Sequence, residues 1–370
     1  MRVVLFIDWF LYYTVELANA LSHEAEVMLV TRDHNYEIAP GPRKADVGEF
    51  LDDCLDPKVR REMLRFRQRS LKNIFEVIRV YRKVRAFQPR IIHVQENSDW
   101  RIACLTCFFS SRKLILTVHD VVRHPGKQKE IFRPIRNFFR RRSKRIIVHG
   151  NSLKRLLASR SPKLEDRVRV IPHGAFTVYG KWDDGLIQEE PGAVLFFGYI
   201  SKYKGIDVLI EAQPWITREI PEAKVLIVGT GKEFEKYEAA VRMNPSFEVH
   251  NEFVPTEDVH RYFRRASVVV LPYIEASQSG VLPLAYAFGK PVVATDVGSI
   301  AEVVENGKTG FVVPPNDPGK LAEAVVTILK NPDLKSRMGR NAAEKAATDL
   351  SWKTIAAQTL RVYASMIRHE

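Results

Sequence analysis

The stretch SVVVLPYIEASQSGVLPLAYAFGKPVVATDVGS, residues 267–299, reads as a strand, a loop, a helix and a second strand. SVVVLPY is continuously apolar and β-branched, the pattern of a strand covered on both faces. GVLPLAYAF is a helix ended by Gly289, with Pro291 just beyond. Pro283 fits only a first turn, where its missing N–H is not needed, so the helix is predicted to begin at Ser279 or Gly280. PVVATDVG is the next strand. The loop IEASQS therefore lies at the carboxyl end of a buried strand. The helix start behind it leaves the N–H groups of Gly280, Val281 and Leu282 for an anion, with Glu275, Ser277, Gln278 and Ser279 beside them for sugar hydroxyls and phosphate.

Outward from this unit the same alternation repeats. RVVLFID, EVMLVTR, RIIHVQ, KLILTVHD, RIIVHG and VRVIPHG come first, then AVLFFG, KVLIVGTG, FEVHN, SVVVLPY, PVVATDVG and GFVVPP, with helical stretches between them. Apolar strands alternating with helices imply parallel sheets covered on both faces, and two series imply two doubly wound, Rossmann-like α/β domains. Residues 175–193, rich in Gly and charge and without a clear period, read as the linker. The expected domains are 1–180 and 181–350, facing across a cleft that collects the loops after the strands. A helix at 351–370, anchored by Trp352, Ile355, Leu360, Val362 and Tyr363, is expected to pack back towards the first.

The 370 residues exceed what one core usually serves, and 45% hydrophobic with 27% charged residues is ordinary globular composition. The net charge of +13 is uneven: residues 1–180 hold 35 Lys and Arg against 19 Asp and Glu, the remainder 22 against 25. The first half is thus expected to meet something anionic, whether nucleic acid, acidic substrate or lipid headgroups. No apolar run has the length of a membrane-spanning helix, and MRVVLFID reads as a first strand rather than a secretory signal, so a cytoplasmic protein is expected. Three cysteines make no disulfide framework. Cys104 and Cys107 form a CxxC, but the apolar, helical RIACLTCFF points to buried packing rather than metal or redox chemistry.

Two further strand ends suit phosphate. LFFGYISKYKGIDVLIEA, residues 195–212, is a strand, a turn with Lys202 and Lys204, and a helix beginning near Gly205, so ammonium groups and a helix N-terminus converge. VLIVGTGKEFEKYEAAV, residues 225–241, carries Gly229 and Gly231, where a backbone can approach a nucleotide; the third glycine of a dinucleotide fingerprint is missing, and hydride transfer is not supported. In the first domain LILTVHDVVRHPG puts His119 and Asp120, with His124 after them, beyond one strand, and HVQENSDW puts Glu96 and Asn97 beyond its neighbour. His119 and Asp120 can be an acid–base couple or a hydroxyl orienter. Glu96, Asn97 and His124 are the candidate acceptor contacts.

TVHD, VIPHG, FFGYISKYKGIDVLIEA, IVGTGKEFE, EFVPTEDVHRYFRRASVVVLPY and AFGKPVVATDVGSIAEVVENGKTGFVVPPND, together spanning most of residues 115–330, resemble the retaining, nucleotide-sugar-dependent glycosyltransferases of family 4, glycosyl transferases group 1. The resemblance implies the GT-B fold, a C-terminal domain that binds the nucleotide sugar, an N-terminal domain that binds the acceptor, and no metal or other cofactor beyond the nucleoside diphosphate sugar as co-substrate. It implies that Lys204 binds the diphosphate, that His119 faces the donor sugar, and that Phe253 and Val254 lie near the base, with Gly198 and Tyr199 on the donor loop. The chain departs from many relatives in three places. Their second acid falls here on Leu284 or Ala285, Tyr199 stands where Arg is common, and the Gly-rich first loop is replaced by DWFLYYTVELANAL. Sugar recognition then falls to Glu275 with SQSG.

Residues 58–87, KVRREMLRFRQRSLKNIFEVIRVYRKVRAF, put Met63, Leu64, Phe66, Leu71, Ile74, Phe75, Ile78 and Tyr81 among many bases, as in a helix lying on an anionic membrane. RPIRNFFRRRSKR, residues 133–145, repeats the composition. Both lie in the expected acceptor domain. The leading expectation is a hexosyltransferase peripheral to the inner face of the membrane, extending a lipid-linked glycan in polysaccharide or lipopolysaccharide assembly. The alternative is a non-catalytic nucleotide-sugar-binding protein that recruits a partner through its basic domain. A nucleic-acid binder ranks last, since no aromatic-basic recognition module or zinc spacing is present.

Overall fold

The computed structural model describes residues 1–35, 47–65, 70–96, 99–121 and 133–367. The chain divides into two compact units, residues 1–172 with 352–370, and residues 173–351.

In the first unit β1 (Arg2–Phe6), β2 (Glu26–Arg32), β3 (Arg60–Leu64), β4 (Ile91–Gln95), β5 (Leu114–Val118), β6 (Arg145–Val148) and β7 (Val168–Val170) form a parallel sheet in the order β3-β2-β1-β4-β5-β6-β7. Alternate residues of β1 feed the two faces. Val4 and Phe6 join the helix Lys72–Phe87, whose Val77, Val80, Val84 and Phe87 recur at helical spacing. Helices Leu11–Ser22 and Trp352–Ile367 pack on each other. His93 of β4 ties the second of these to the sheet: its Nδ1 lies 2.7 Å from the Tyr363 hydroxyl and its Nε2 2.7 Å from Thr117 Oγ1. Burial pulls the His93 pKa down to about 3, so the ring is neutral.

Three expectations are corrected in this unit. Residues 58–87 are not one amphipathic helix: β3 takes Arg60–Leu64, paired with β2 from Met28↔Arg60 to Arg32↔Leu64, and residues 66–69, Phe66 among them, lie outside the described residues. The open edge of β2 offers RREML a full ladder, which outweighs its helical spacing, and Leu64 is core. The second basic stretch is largely turned inward. In the helix Arg133–Arg142, Arg136 and Arg140 bond Glu96 and the Asp120 carbonyl, while Arg142 donates to the carbonyls of Thr106 (3.3 Å) and Phe109 (2.6 Å). Finally, Cys104 and Cys107 are exposed. The helix Trp100–Cys107 buries Arg101, Ile102, Leu105 and Thr106, and the cysteines, one turn apart, fall on its other face.

In the second unit β8 (Ala193–Phe197), β9 (Lys224–Val228), β10 (Phe247–His250), β11 (Val268–Leu271), β12 (Val292–Thr295) and β13 (Gly310–Val313) form a parallel sheet in the order β10-β9-β8-β11-β12-β13. The expected helix starts are found: Ile206–Glu219 follows Gly205, and Val281–Ala287 follows Gly280. Among the described residues no helix is long and apolar enough to cross a membrane.

Candidate active site

The sheet of the second unit changes direction between β8 and β11, since the chain leaves β8 towards β9 on one side and β11 towards β12 on the other. Loops at such a switch point splay apart and leave room for a ligand. Here they are stitched by their backbones. On the β9 side the Gly198 N–H donates to the Val228 carbonyl (2.8 Å), the Ile200 N–H to the Thr230 carbonyl (2.9 Å) and the Lys202 N–H to Glu233 Oε2 (2.6 Å). A Cβ on Gly229 would overlap the Gly198 carbonyl, and one on Gly231 the Ile200 carbonyl, so both positions need glycine. On the β11 side the Ile274 N–H donates to the Tyr203 carbonyl (2.8 Å), and Gly205, at φ +65°, abuts the Pro272 carbonyl.

Lys204 rises at the middle of this frame. It is 8% exposed, and its Nζ sits beside Gly198, 2.9 Å from where a Cβ would be, and 5.6 Å from the centre of the Tyr273 ring. Val281, first residue of its helix, reaches the same spot, 3.7 Å from that Cβ position. The Tyr273 hydroxyl lies 3.2 Å from Ser279 Oγ, which accepts the Val281 N–H at 3.2 Å. Burial raises the Tyr273 pKa well above the ordinary phenol range, so a neutral ring faces the ammonium. A buried cation beside a helix start, over glycine backbone, is the chemistry of an oxyanion site.

Gly198, Lys204, Gly229, Gly231, Ser279, Gly280 and Val281 are thus brought to one edge of the sheet. Ser277 is buried, its carbonyl accepting the Ser299 N–H (3.0 Å), and Gln278 holds a buried Oε1 without a hydrogen-bond partner, as do the hydroxyls of Ser201 and Ser299. Tyr199, Lys202, Phe253 and Glu275 are on the same loops or the loop after β10 but exposed, and Val254, half-buried, packs against the core of this unit. Leu284 and Ala285 are buried in the core, so the helix Val281–Ala287 presents no acid. Tyr273 and Ser201 were missed in the sequence; an aromatic directly after a Pro at a strand end was the available signal.

In the first unit β4 and β5 end side by side. Glu96 is a brace: its Oε2 accepts the N–H groups of His119 (3.0 Å) and Asp120 (2.7 Å), and its Oε1 meets Arg136 and Arg140. With both oxygens so engaged, the acceptor contact expected of Glu96 is replaced by a structural one. His119 does not stand open at the strand end either. It is fully buried, its Nε2 3.0 Å from Gln95 Oε1 and its Nδ1 3.1 Å from His149 Nε2, while His149 Nδ1 donates to the Ile171 carbonyl (3.0 Å). Asn97 and His124 lie outside the described residues. Among those described, no three His, Cys, Asp or Glu side chains gather as metal ligands.

The sequence matches the family described as Glycosyltransferase Family 4 over residues 12–177, and that described as Glycosyl transferases group 1 over residues 191–331. It is 30% identical over 234 residues to an uncharacterized glycosyltransferase of Methanocaldococcus jannaschii, covering 59% of each chain. It is 35% identical over 182 residues to the D-inositol 3-phosphate glycosyltransferase of Streptomyces scabiei, covering 46% of this chain and 41% of that one. The chain thus spans about half the length of these curated relatives. Among solved structures, Anabaena HepE in complex with UDP-glucose superposes with a TM-score of 0.73 at 17% identity, over 99% of this chain and 100% of that one, a likeness of fold. With its two parallel Rossmann-like sheets and the two matches, the chain belongs to the family 4, group 1 glycosyltransferases of GT-B fold.

Proposed function

We propose that this protein transfers a hexose, with retention of configuration and without a metal, from a nucleoside diphosphate sugar to a lipid-linked glycan acceptor. The observation that carries the donor half is Lys204, whose buried ammonium sits beside Gly198 and Val281 at the switch point of the second sheet. It would hold the diphosphate, with the Gly280 N–H adding to it, while Ser279 Oγ keeps the Val281 N–H. Glu275, on the loop after β11, would take donor-sugar hydroxyls. The HepE structure, which holds UDP-glucose on the same fold, supports this class of donor. With Leu284 and Ala285 in the core, ribose and base would rest on Gly229, Gly231 and the turn at Phe253 and Val254.

In the reaction the bond between the anomeric carbon and the diphosphate oxygen breaks, and the pair of electrons leaves with the diphosphate. The acceptor hydroxyl bonds that carbon on the same face, and its proton passes to a diphosphate oxygen. Charge grows on the leaving group, so a fixed ammonium and aimed N–H groups are what the step needs. His119, enclosed with Gln95 and His149, would act by fixing the end of β5 that carries Asp120.

The acceptor half rests on the outward face of the helix Lys72–Phe87. Leu71 and Phe75 are 78% and 70% exposed, Ile74 and Ile78 lie beside them, and Arg82 and Arg85 continue the same stripe. Apolar anchors next to bases suit the headgroup region of an anionic inner leaflet. Calorimetry tests the donor half. Lys204→Ala is expected to lose about 1.5–3 kcal/mol of nucleoside diphosphate affinity, the weight of a charge-assisted hydrogen bond, and little nucleoside affinity. Equal losses for both ligands end that assignment. Turnover of labelled UDP- and GDP-hexoses with a lipid-linked acceptor extract then separates a transferase from a binding protein that only recruits a partner.

A further inference from the structure

Residues 182–187 run beside the start of the helix Val259–Arg265 and leave a groove of about 480 Å³, within the size range of small-molecule sites. None of its lining residues is among those assigned to the donor. Trp182 and Ile187 supply an apolar wall, and Asp184, Glu257 and Asp258 supply carboxylates. His260 also lines it, 5% exposed, with a buried Nδ1 that has no hydrogen-bond partner. A buried polar atom left this way costs about 1–3 kcal/mol unless a ligand or water completes it.

The charges narrow the ligand. Arg261 pairs with Asp258 at 3.2 Å, Asp184 Oδ1 accepts the Leu186 N–H at 3.0 Å, and the Lys181 ammonium lies 5.5 Å from the centre of the Trp182 ring. Three carboxylates repel a phosphate, and Arg261 neutralises one of them through Asp258. A ring with an apolar face for the indole and a rim of hydroxyls that both donate and accept meets the apolar wall and the carboxylates together. We propose that this groove is a second saccharide site, in which a pyranose unit lies against Trp182, donates hydroxyls to Asp184 and Glu257, and pairs one hydroxyl with His260 Nδ1. It would hold one unit of a glycan chain apart from the donor site, and it goes beyond the function proposed above because binding there needs no turnover.

The test is calorimetry on the full chain with maltotetraose, mannotetraose and cellotetraose in turn, at saturating UDP. At least one is expected to bind with a dissociation constant on the order of 1 mM, weakened about tenfold by Trp182→Ala and by Glu257→Gln, with UDP affinity unchanged. Glu257 is exposed, so its variant keeps the fold if Trp182→Ala does not. No binding by any of the three, equal binding by the folded variants, or displacement of the saccharide by excess UDP overturns the proposal. A saccharide that binds through Trp182 in a chain with no affinity for UDP leaves this site standing and removes the donor reading instead.

Discussion

The ring of Phe10 lies flat on that of His119, centroids 3.7 Å apart and planes 13° from parallel, while Phe10 itself is held at φ +60°, ψ +46°. Left-handed backbone at a bulky residue is strained by about 1–3 kcal/mol and persists only where its surroundings demand it. Here the demand is the cover over His119, whose ring also meets that of Tyr13 at right angles with centroids 4.9 Å apart. Phe10→Gly is expected to cost only about 1–2 kcal/mol, less than the usual loss of a buried Phe, because Phe10 is half-buried and relief of strain offsets part of the lost packing. Reaction of His119 with diethyl pyrocarbonate should rise sharply in this variant. An unchanged rate would show that Phe10 is not the cover.

Two glycines with the same backbone sign separate strain from contact. Gly205 (φ +65°) and Gly185 (φ +72°) both lie in the left-handed region, but a Cβ on Gly205 would overlap the Pro272 carbonyl, and one on Gly185 meets nothing within 4 Å. Gly185→Ala should cost about 1 kcal/mol, the backbone term alone. Gly205→Ala must also part the loops after β8 and β11, and should cost over about 2 kcal/mol while abolishing nucleoside diphosphate binding. Matching urea midpoints for the two variants would show that the loops are not held by that contact.

The strands named in the sequence are all found, because parallel strands covered on both faces must be apolar and β-branched, and that pattern survives without an alignment. β3 was not legible. It pairs on one side only, carries charge at Arg60, Arg61 and Glu62, and owes its conformation to the edge of β2 rather than to its own residues. At the proposed donor site, the glycines, Lys204 and the start of the helix Val281–Ala287 could be read from strand, loop and helix punctuation. Glu96 and His119 could be placed but not interpreted, since whether a polar side chain points to solvent or braces its neighbours depends on Arg136, Arg140, His149 and Phe10, far away in sequence.

Acid should destabilise the fold before its carboxylates titrate. Burial lowers the pKa of His93 to about 3 and of His173 to about 4, against 6.5 in the unfolded chain. Between those values the unfolded chain binds protons that the folded chain refuses, so stability is full above about pH 6.5 and falls as pH falls through this window. Each histidine contributes a slope of up to about 1.4 kcal/mol per pH unit. Urea midpoints at pH 7.5, 6.0 and 5.0 should decline steadily, and His93→Gln should flatten the decline. A constant midpoint across that range would contradict the buried, neutral rings.

The outward stripe of the helix Lys72–Phe87 gives the membrane reading its sharpest test. Leu71, Ile74, Phe75 and Ile78 sit at helical spacing on the exposed side, while Val77, Val80, Val84 and Phe87 hold the helix to the sheet, so the exposed set can be changed without touching the core. Each large apolar side chain fully buried in lipid contributes about 1.5–3 kcal/mol, and each base near an anionic surface about 1 kcal/mol. Leu71→Ser with Phe75→Ser should therefore cut sedimentation with phosphatidylglycerol vesicles at any salt. Arg82→Gln with Arg85→Gln should cut it at low salt only, because the Debye length falls to about 3 Å at 1 M. Both pairs should leave nucleoside diphosphate affinity as it was, since the loops proposed to hold the donor lie in the other unit. Binding that responds to the arginine pair alone would make the helix an electrostatic contact without insertion. Sedimentation that neither pair changes would remove lipid from the account of this face and leave its apolar stripe without the role proposed here.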